Sequence, residues 1–274
     1  MTILVSGATG TVGKHVVEQL VNKKVQVRAV TRNPKKANFP EGVEVVVGDL
    51  MSPKTLISAL QDVTAIYLIT SSDQVDATLE TDPQIVELAE EAGVKRISLL
   101  TVYGDGPVEQ AIKNSHLEWT FVQPVGFMAN AIDDWQESIQ KEGAVCMLGG
   151  ENRTAIVHEA DIAAVFVETL LGDKYHGNFY TLTGPEALSA IEQVEIISKV
   201  IGKEIKFKEL TEAQARNRWQ EIGLDEESID FMVQMSNNPP EIGYTVLPTI
   251  ECITGHSAKT FAEWAHEHKK HFIK

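Results

Sequence analysis

Gly7, Gly10 and Gly13 stand three residues apart in the stretch ILVSGATGTVG, which fills positions 3–13. An apolar run ends at the first of these glycines, and a polar-apolar pattern without proline follows the last. A turn of this composition is suited to holding an anion. Glycine permits the tight bend at 7, lets the backbone approach a phosphate at 10, and allows the next helix to pack closely on a sheet at 13. Exposed N–H groups and the positive end of the helix dipole supply the attraction. The stretch is not a P-loop, because Lys14 follows glycine without that motif's spacing and without Ser or Thr after it.

In a dinucleotide site, an acidic side chain about 20 residues further on bonds the ribose hydroxyls of NAD. Here no acidic residue occurs between Glu18 and Glu41, and Arg28, Arg32, Lys35 and Lys36 cluster instead. The planar guanidinium of Arg32, in VTRNPKK, suits a 2′-phosphate and can stack on adenine, so NADP(H) is expected in preference to NAD(H). Asp49 and Leu50, in VVVGDL, are the candidates at the adenine end, with the Asp49 carboxylate placed to reach the amino group.

Residues for proton transfer are sparser. A tyrosine with a lysine four residues later forms a proton donor, the ammonium lowering the phenol pKa from about 10. The residues four after Tyr67, Tyr103, Tyr175, Tyr180 and Tyr244 are Ser71, Pro107, Phe179, Gly184 and Pro248, so that pair is absent. Tyr103 and Thr101 remain the catalytic candidates: Tyr103 follows a strand end on the ligand side beside Thr101, either as a proton donor or hydrogen-bonding group toward substrate or, preferably, as a loop aromatic closing over the site. His158 either donates to substrate or caps and packs, the second being preferred. On a helix, His266, His268 and His271 do not converge on one face, so no metal site is expected. Trp135, Trp219, Phe231, Met232 and Met235 line an apolar pocket for an aromatic substrate or, preferably, pack in a core.

The elements that must position these residues alternate. Ile3 to Val5 reads as a strand, Gly10 to Val21 as a helix with Val16, Val17, Leu20 and Val21 on one face, and Val25 to Val30 as the next strand. Strands at Val43 to Val47, Ala65 to Thr70, Arg96 to Thr101 and Trp119 to Gln123 alternate with helices opened by Ser52-Pro53, at Asp82 to Ala92 and around Val108 to Asn114. That pattern predicts a doubly wound parallel sheet of the Rossmann-like α/β class. Beyond Pro124 the regularity weakens: helices are expected at Phe127 to Lys141 and Asp161 to Leu171, strands at Arg153 to Val157 and Phe179 to Leu182. Four further helical segments, near Ala190 to Ile201, Glu212 to Glu221, Glu226 to Met235 and Ala258 to Lys270, suggest a smaller, mostly helical C-terminal lobe. The expected division is 1–186 for the nucleotide-binding domain, with 131–154 contributing to the substrate lobe, and 187–274 for that lobe.

Composition narrows the function classes. With 39 acidic against 24 basic residues the net charge is -15, and no dense basic run exists to bind nucleic acid. Cys146 and Cys252 show neither metal spacing nor a disulfide framework. No apolar run approaches the roughly 18 residues of a membrane span, and Met1 leads into a strand-like stretch without a basic leader, so a cytoplasmic location is expected.

SGATGTVG, VRAVTRNPKK, GDL, LEWTFVQPVGFMAN, HEADIAAV and YTLTGPEALS together resemble the NmrA-like branch of atypical short-chain dehydrogenases/reductases over nearly the whole chain. The resemblance implies an NADP(H)-type site on Gly7, Thr9, Gly10, Thr11, Val12, Gly13 and Arg32, with a substrate cleft between the sheet and the C-terminal lobe. It places Thr70 and Ser71 near the central riboses and Thr101, Pro124 and Phe127 around the nicotinamide. Relatives of this kind include quinone, azo-dye and iminium reductases, and regulators that bind the dinucleotide without turnover. The expected function is hydride transfer from NADPH to a small electrophilic substrate such as a quinone, azo compound, enone or iminium, by a monomer or homodimer. The alternative is a redox sensor without turnover, which the missing Tyr-Lys pair favours and the full-sized second lobe opposes.

Overall fold

Near-continuous apolar runs form parallel strands because helices cover both faces of the sheet they build. The computed structural model describes residues 1–70, 80–101 and 105–273. In chain order the first elements are β1 (Thr2–Val5), α1 (Gly13–Asn22), β2 (Gln26–Thr31), β3 (Glu44–Val47), β4 (Val63–Ile69), α2 (Gln84–Glu91), β5 (Arg96–Leu100), α3 (Pro107–Asn114) and β6 (Glu118–Pro124). They continue as α4 (Asn130–Glu142), β7 (Ala144–Met147), β8 (Arg153–Thr154), α5 (Glu159–Leu171), β9 (Asn178–Leu182), β10 (Leu188–Ser189) and α6 (Ala190–Ile201). Last come β11 (Lys206–Glu209), α7 (Glu212–Glu221), α8 (Glu226–Asn237), α9 (Thr249–Thr254) and α10 (Phe261–His268).

Seven strands form one sheet in the order β3-β2-β1-β4-β5-β6-β9, and every neighbouring pair is parallel. The chain winds outward from β1 to β3, then returns to β4 on the other side of β1. Between β1 and β4 lies the topological switch point, where a doubly wound sheet opens a crevice at the carboxyl ends of its strands. Ser6 joins the two strand ends there: its N–H and its hydroxyl both donate to the Tyr67 carbonyl, at 3.0 and 2.9 Å, and its Oγ accepts from the Ile69 N–H at 3.2 Å.

Alternation along the strands divides the core between the faces. Ile66 and Leu68 of β4 and Ile97 and Leu99 of β5 pack with Leu56, Leu60, Ile85, Val86, Val108 and Ile112. Tyr67 and Ser98 point the other way, to α5, where Tyr67 meets Phe166 edge-on at 4.7 Å and Ser98 donates to Thr169 at 3.0 Å. A helix buried on most sides must be apolar nearly all round, and α5 is: Ile162, Ala163, Val165, Phe166, Val167 and Leu170 are all buried.

The chain forms two units interleaved along the sequence rather than divided at residue 186. Met1–Pro124, Glu159–Leu182 and Thr249–His256 make one; Val125–His158, Thr183–Pro248 and Ser257–Lys274 make the other. The reason is the return of α5 to the sheet and of α9 to α5, where the Tyr175 hydroxyl donates to the Ile253 carbonyl at 3.3 Å. The second unit has its own core of Met128, Trp135, Ile139, Val145, Val194, Ile197, Phe261 and Trp264. Two small sheets, β7-β11 and β8-β10, accompany its helices.

Several elements are shorter than their sequence pattern suggests, for local reasons. The first helix starts at Gly13, not Gly10, because residues 7–12 form the turn. Ser52-Pro53 opens only a single 3-10 turn, Pro53–Leu56, since the Thr55 hydroxyl takes the Ser52 carbonyl at 2.7 Å. The helix expected from Phe127 begins at Asn130, because Phe127 forms a parallel β-bridge with Val157. That same bridge truncates β8: the Val157 N–H donates to Gly126 and its carbonyl accepts from Met128, both at 2.9 Å.

Candidate functional site

The glycine turn leaves β1 with Gly7 at φ +53°, in the left-handed region. A Cβ on Gly7 would also lie 2.5 Å from Ile69 Cδ1. The Gly10 N–H donates to the Gly7 carbonyl at 2.9 Å, closing the turn. Thr9 is exposed, Gly10 and Thr11 are half-buried, and Val12 and Gly13 are buried. Val12 takes the N-cap position of α1 and so provides no side-chain cap, and the first helical turn carries no acidic residue. Helix N-termini ordinarily satisfy their free amides with a Ser, Thr, Asn or Asp side chain. Here no side chain caps the positive end of α1.

Across the switch point the Thr70 hydroxyl is buried and has no hydrogen-bond partner among the described residues. Native structures rarely leave such a group unsatisfied unless a water or ligand completes it. Thr81 brings the chain back to the same point, its N–H on the Thr70 carbonyl at 3.2 Å and its hydroxyl on Ile69 at 2.7 Å. The donor set of turn, bare helix end and orphan hydroxyl fits a nucleotide diphosphate with its ribose. Ser71 lies outside the described residues.

The basic residues of the second strand separate into two roles. Arg28 is engaged, its Nε on Glu44 at 2.8 Å and its Nη1 on the Ala59 and Gln61 carbonyls at 2.6 and 2.7 Å. Arg32, exposed just beyond β2, makes no ion pair with a described residue. Asp49 is partly committed, since its Oδ1 accepts from the Met51 N–H at 3.0 Å. Leu50 is buried in the sheet core, and its carbonyl accepts from Asp82 at 3.0 Å. Its side chain therefore contributes to packing.

At the end of β5, Thr101 is buried and its hydroxyl donates to Glu109 Oε1 at 2.5 Å. Glu109, the third residue of α3 after Gly106-Pro107, is not among the expected site residues, although that position signals a cap. The Thr101 hydroxyl proton is thus directed to that carboxylate. Tyr103 lies outside the described residues. Pro124 ends β6 beside Leu182 of β9, and Phe127, half-buried, belongs to the second unit.

His158 is buried, with Nε2 3.3 Å from Glu267 Oε2. Burial raises the Glu267 carboxyl, but Lys259 at 2.6 Å and His158 outweigh it and hold the group below its ordinary value. This is a packed, paired histidine, in keeping with the preferred structural role. His268 stacks on Trp264 at 4.8 Å and His271 meets Gln136 at 3.1 Å. Trp135 is in the second unit's core, Trp219 and Met235 are half-buried, and Phe231 and Met232 are exposed rather than packed as expected. The reason is register: α8 buries Ile229 and Val233, four residues apart, which turns 231 and 232 outward.

A family model for NAD(P)H-binding proteins matches residues 7–173. The chain is 33% identical to the NAD(P)H azoreductase of Xenophilus azovorans, over 98% of this chain and 99% of that protein. It is 32% identical, with the same coverage of each, to the (4-alkanoyl-5-oxo-2,5-dihydrofuran-3-yl)methyl phosphate reductase of Streptomyces griseus. In structure it is similar to the NADPH-dependent quinone oxidoreductase of Escherichia coli in complex with NADPH. That match has a TM-score of 0.79 and 24% identity, covering 97% of this chain and 99% of that one. With the strand order, the glycine turn and a match over most of its length, the chain belongs to the NAD(P)H-binding family, in the NmrA-like branch of atypical short-chain dehydrogenases/reductases.

Proposed function

We propose that this chain is an NAD(P)H-dependent oxidoreductase that prefers NADPH and reduces a small, already electrophilic acceptor such as a quinone, azo compound, enone or iminium ion. The observation that carries the reading is Arg32, a guanidinium at the end of β2 left without a described carboxylate partner, in a sheet whose glycine turn ends at an uncapped helix. The cofactor supplies a hydride; a quinone, azo compound or enone takes it together with a proton, and an iminium ion takes it alone.

This chain's own residues bind and orient. The turn from Gly7 to Gly13 holds the diphosphate, Thr9, Thr11 and Val12 shape its walls, and Arg32 takes the 2′-phosphate. Asp49 keeps one carboxylate oxygen for the adenine end, and the Thr70 hydroxyl completes its hydrogen bonding on a ribose. Thr101 and Pro124 bound the nicotinamide. No tyrosine in the sequence has a lysine four residues later. Orientation of an acceptor that needs little electrophilic assistance therefore carries much of the rate, and the reductases among its relatives support such an acceptor.

The test is turnover. Purified protein is mixed with NADPH and a panel of quinones, azo dyes and enones, and the loss of reduced cofactor is followed. Consumption dependent on acceptor supports the reading. Tight NADPH binding with no turnover across the panel supports the sensor instead, the reading that the missing Tyr-Lys pair favours.

A further inference from the structure

The chain leaves β4 between two hydroxyls. The Ile69 N–H donates to Ser6 Oγ at 3.2 Å, and the Ile69 carbonyl accepts from the Thr81 hydroxyl at 2.7 Å. The Thr81 N–H donates to the next carbonyl, that of Thr70, at 3.2 Å. Ser6 and Thr81 are both buried, so water competes little for these bonds. Three backbone groups of Ile69 and Thr70 are thus satisfied, while the Thr70 hydroxyl beside them is buried without a partner among the described residues. Keeping such a group unpaired is costly, and its retention points to a partner that arrives from outside the chain. The place agrees: β1 and β4 flank the switch point, where a doubly wound sheet takes its ligand.

Threonine is β-branched and has few allowed side-chain rotamers, so the direction of its hydroxyl follows from the backbone that carries it. Thr81 fixes that backbone at two consecutive carbonyls. We propose that Thr81 is a positioning residue for the nucleotide: by holding the Ile69 and Thr70 carbonyls it directs the Thr70 hydroxyl to the ligand in the crevice between β1 and β4. The inference rests on the NAD(P)H reading above and adds to it a residue that acts through another. The Thr81 proton is committed to Ile69, so the action runs through the backbone. A Thr81 that only satisfied two carbonyls would change nucleotide affinity to the same extent whatever stood at position 70.

The experiment measures NADPH binding by calorimetry in the wild-type chain, Thr81→Val, Thr70→Val, the double variant and Thr81→Ser. Valine at 81 is near-isosteric and keeps the N–H, so the bond to the Ile69 carbonyl is what it removes; serine keeps the hydroxyl. Thr81→Val is expected to weaken NADPH binding about three- to tenfold, and Thr81→Ser to bind like wild type. In the Thr70→Val background, Thr81→Val is expected to add no further loss, because the hydroxyl it positions is gone. Loss of the same size in both backgrounds overturns the proposal, as does unchanged affinity in folded Thr81→Val. Should Thr81→Val not fold, Thr81→Ser against Thr81→Ala makes the comparison with the methyl absent from both. NADPH affinity untouched by Thr70→Val overturns the proposal and leaves the cofactor reading standing; a wild-type chain that binds no NADPH overturns both.

Discussion

A Cβ on Gly13 would come within 2.1 Å of the Gly7 carbonyl oxygen, and that same oxygen accepts the Gly10 N–H at 2.9 Å. One atom thus links all three glycines of the turn. Gly13→Ala forces the backbone of the turn or the helix to shift, an overpacking cost of about 1–3 kcal/mol. The expected outcome is a lowered Tm together with NADPH affinity reduced about tenfold or more, measured by thermal unfolding and calorimetry. Wild-type affinity in a folded Gly13→Ala would show that the turn is not the phosphate site.

Arg28 and Arg32 separate structure from specificity. Arg32→Ala removes a side chain with no described ion pair, so stability stays near wild type while the KM for NADPH rises about tenfold or more and that for NADH barely changes. Arg28→Ala removes a clamp on two carbonyls and Glu44, so it lowers Tm without altering the ratio of the two KM values. Equal loss for both cofactors in Arg32→Ala would assign the 2′-phosphate to another group.

These two arginines also show where the sequence becomes unreadable. The sheet was legible because strand and helix periods and the spacing of Gly7, Gly10 and Gly13 are local properties. Which arginine is free was not, because the partners of Arg28, at residues 44, 59 and 61, are brought to it only by the folded sheet. Glu109 escaped notice for a similar reason: its capping contact is local, but the Thr101 contact depends on where β5 ends. The interleaving of the two units depends on α5, whose apolar character is plain in the sequence but whose destination on the sheet is not.

Thr70 gives a prediction with opposite signs in the free and bound protein. Its hydroxyl is buried without a described partner, so the near-isosteric Thr70→Val relieves an unsatisfied polar group and stabilises the free protein by about 1 kcal/mol. With saturating NADPH the gain shrinks or reverses, because wild type forms a hydrogen bond that valine cannot. Differential scanning calorimetry with and without nucleotide checks this. A gain of equal size in both states would mean that no ligand atom reaches Thr70.

Asp134, on α4, has a carboxyl pushed up from 3.8 to about 6. The residue is exposed, yet neighbouring atoms crowd its carboxyl; that desolvation is the main cause, Asp133 adds to it and Arg218 opposes it. A carboxyl whose folded value is raised contributes stability while protonated, fully below its unfolded value, and that contribution is lost as pH rises through the folded value. The charge on Asp134 is therefore unfavourable to the fold above about pH 6, by an amount that solvent screening keeps modest. Asp134→Asn is expected to raise Tm by about 1–3 °C at about pH 8, with the difference from wild type shrinking through pH 6 and vanishing below about 4. Thermal unfolding across that range measures it, and a difference that does not change with pH would show that Asp134 titrates alike in the folded and unfolded chain.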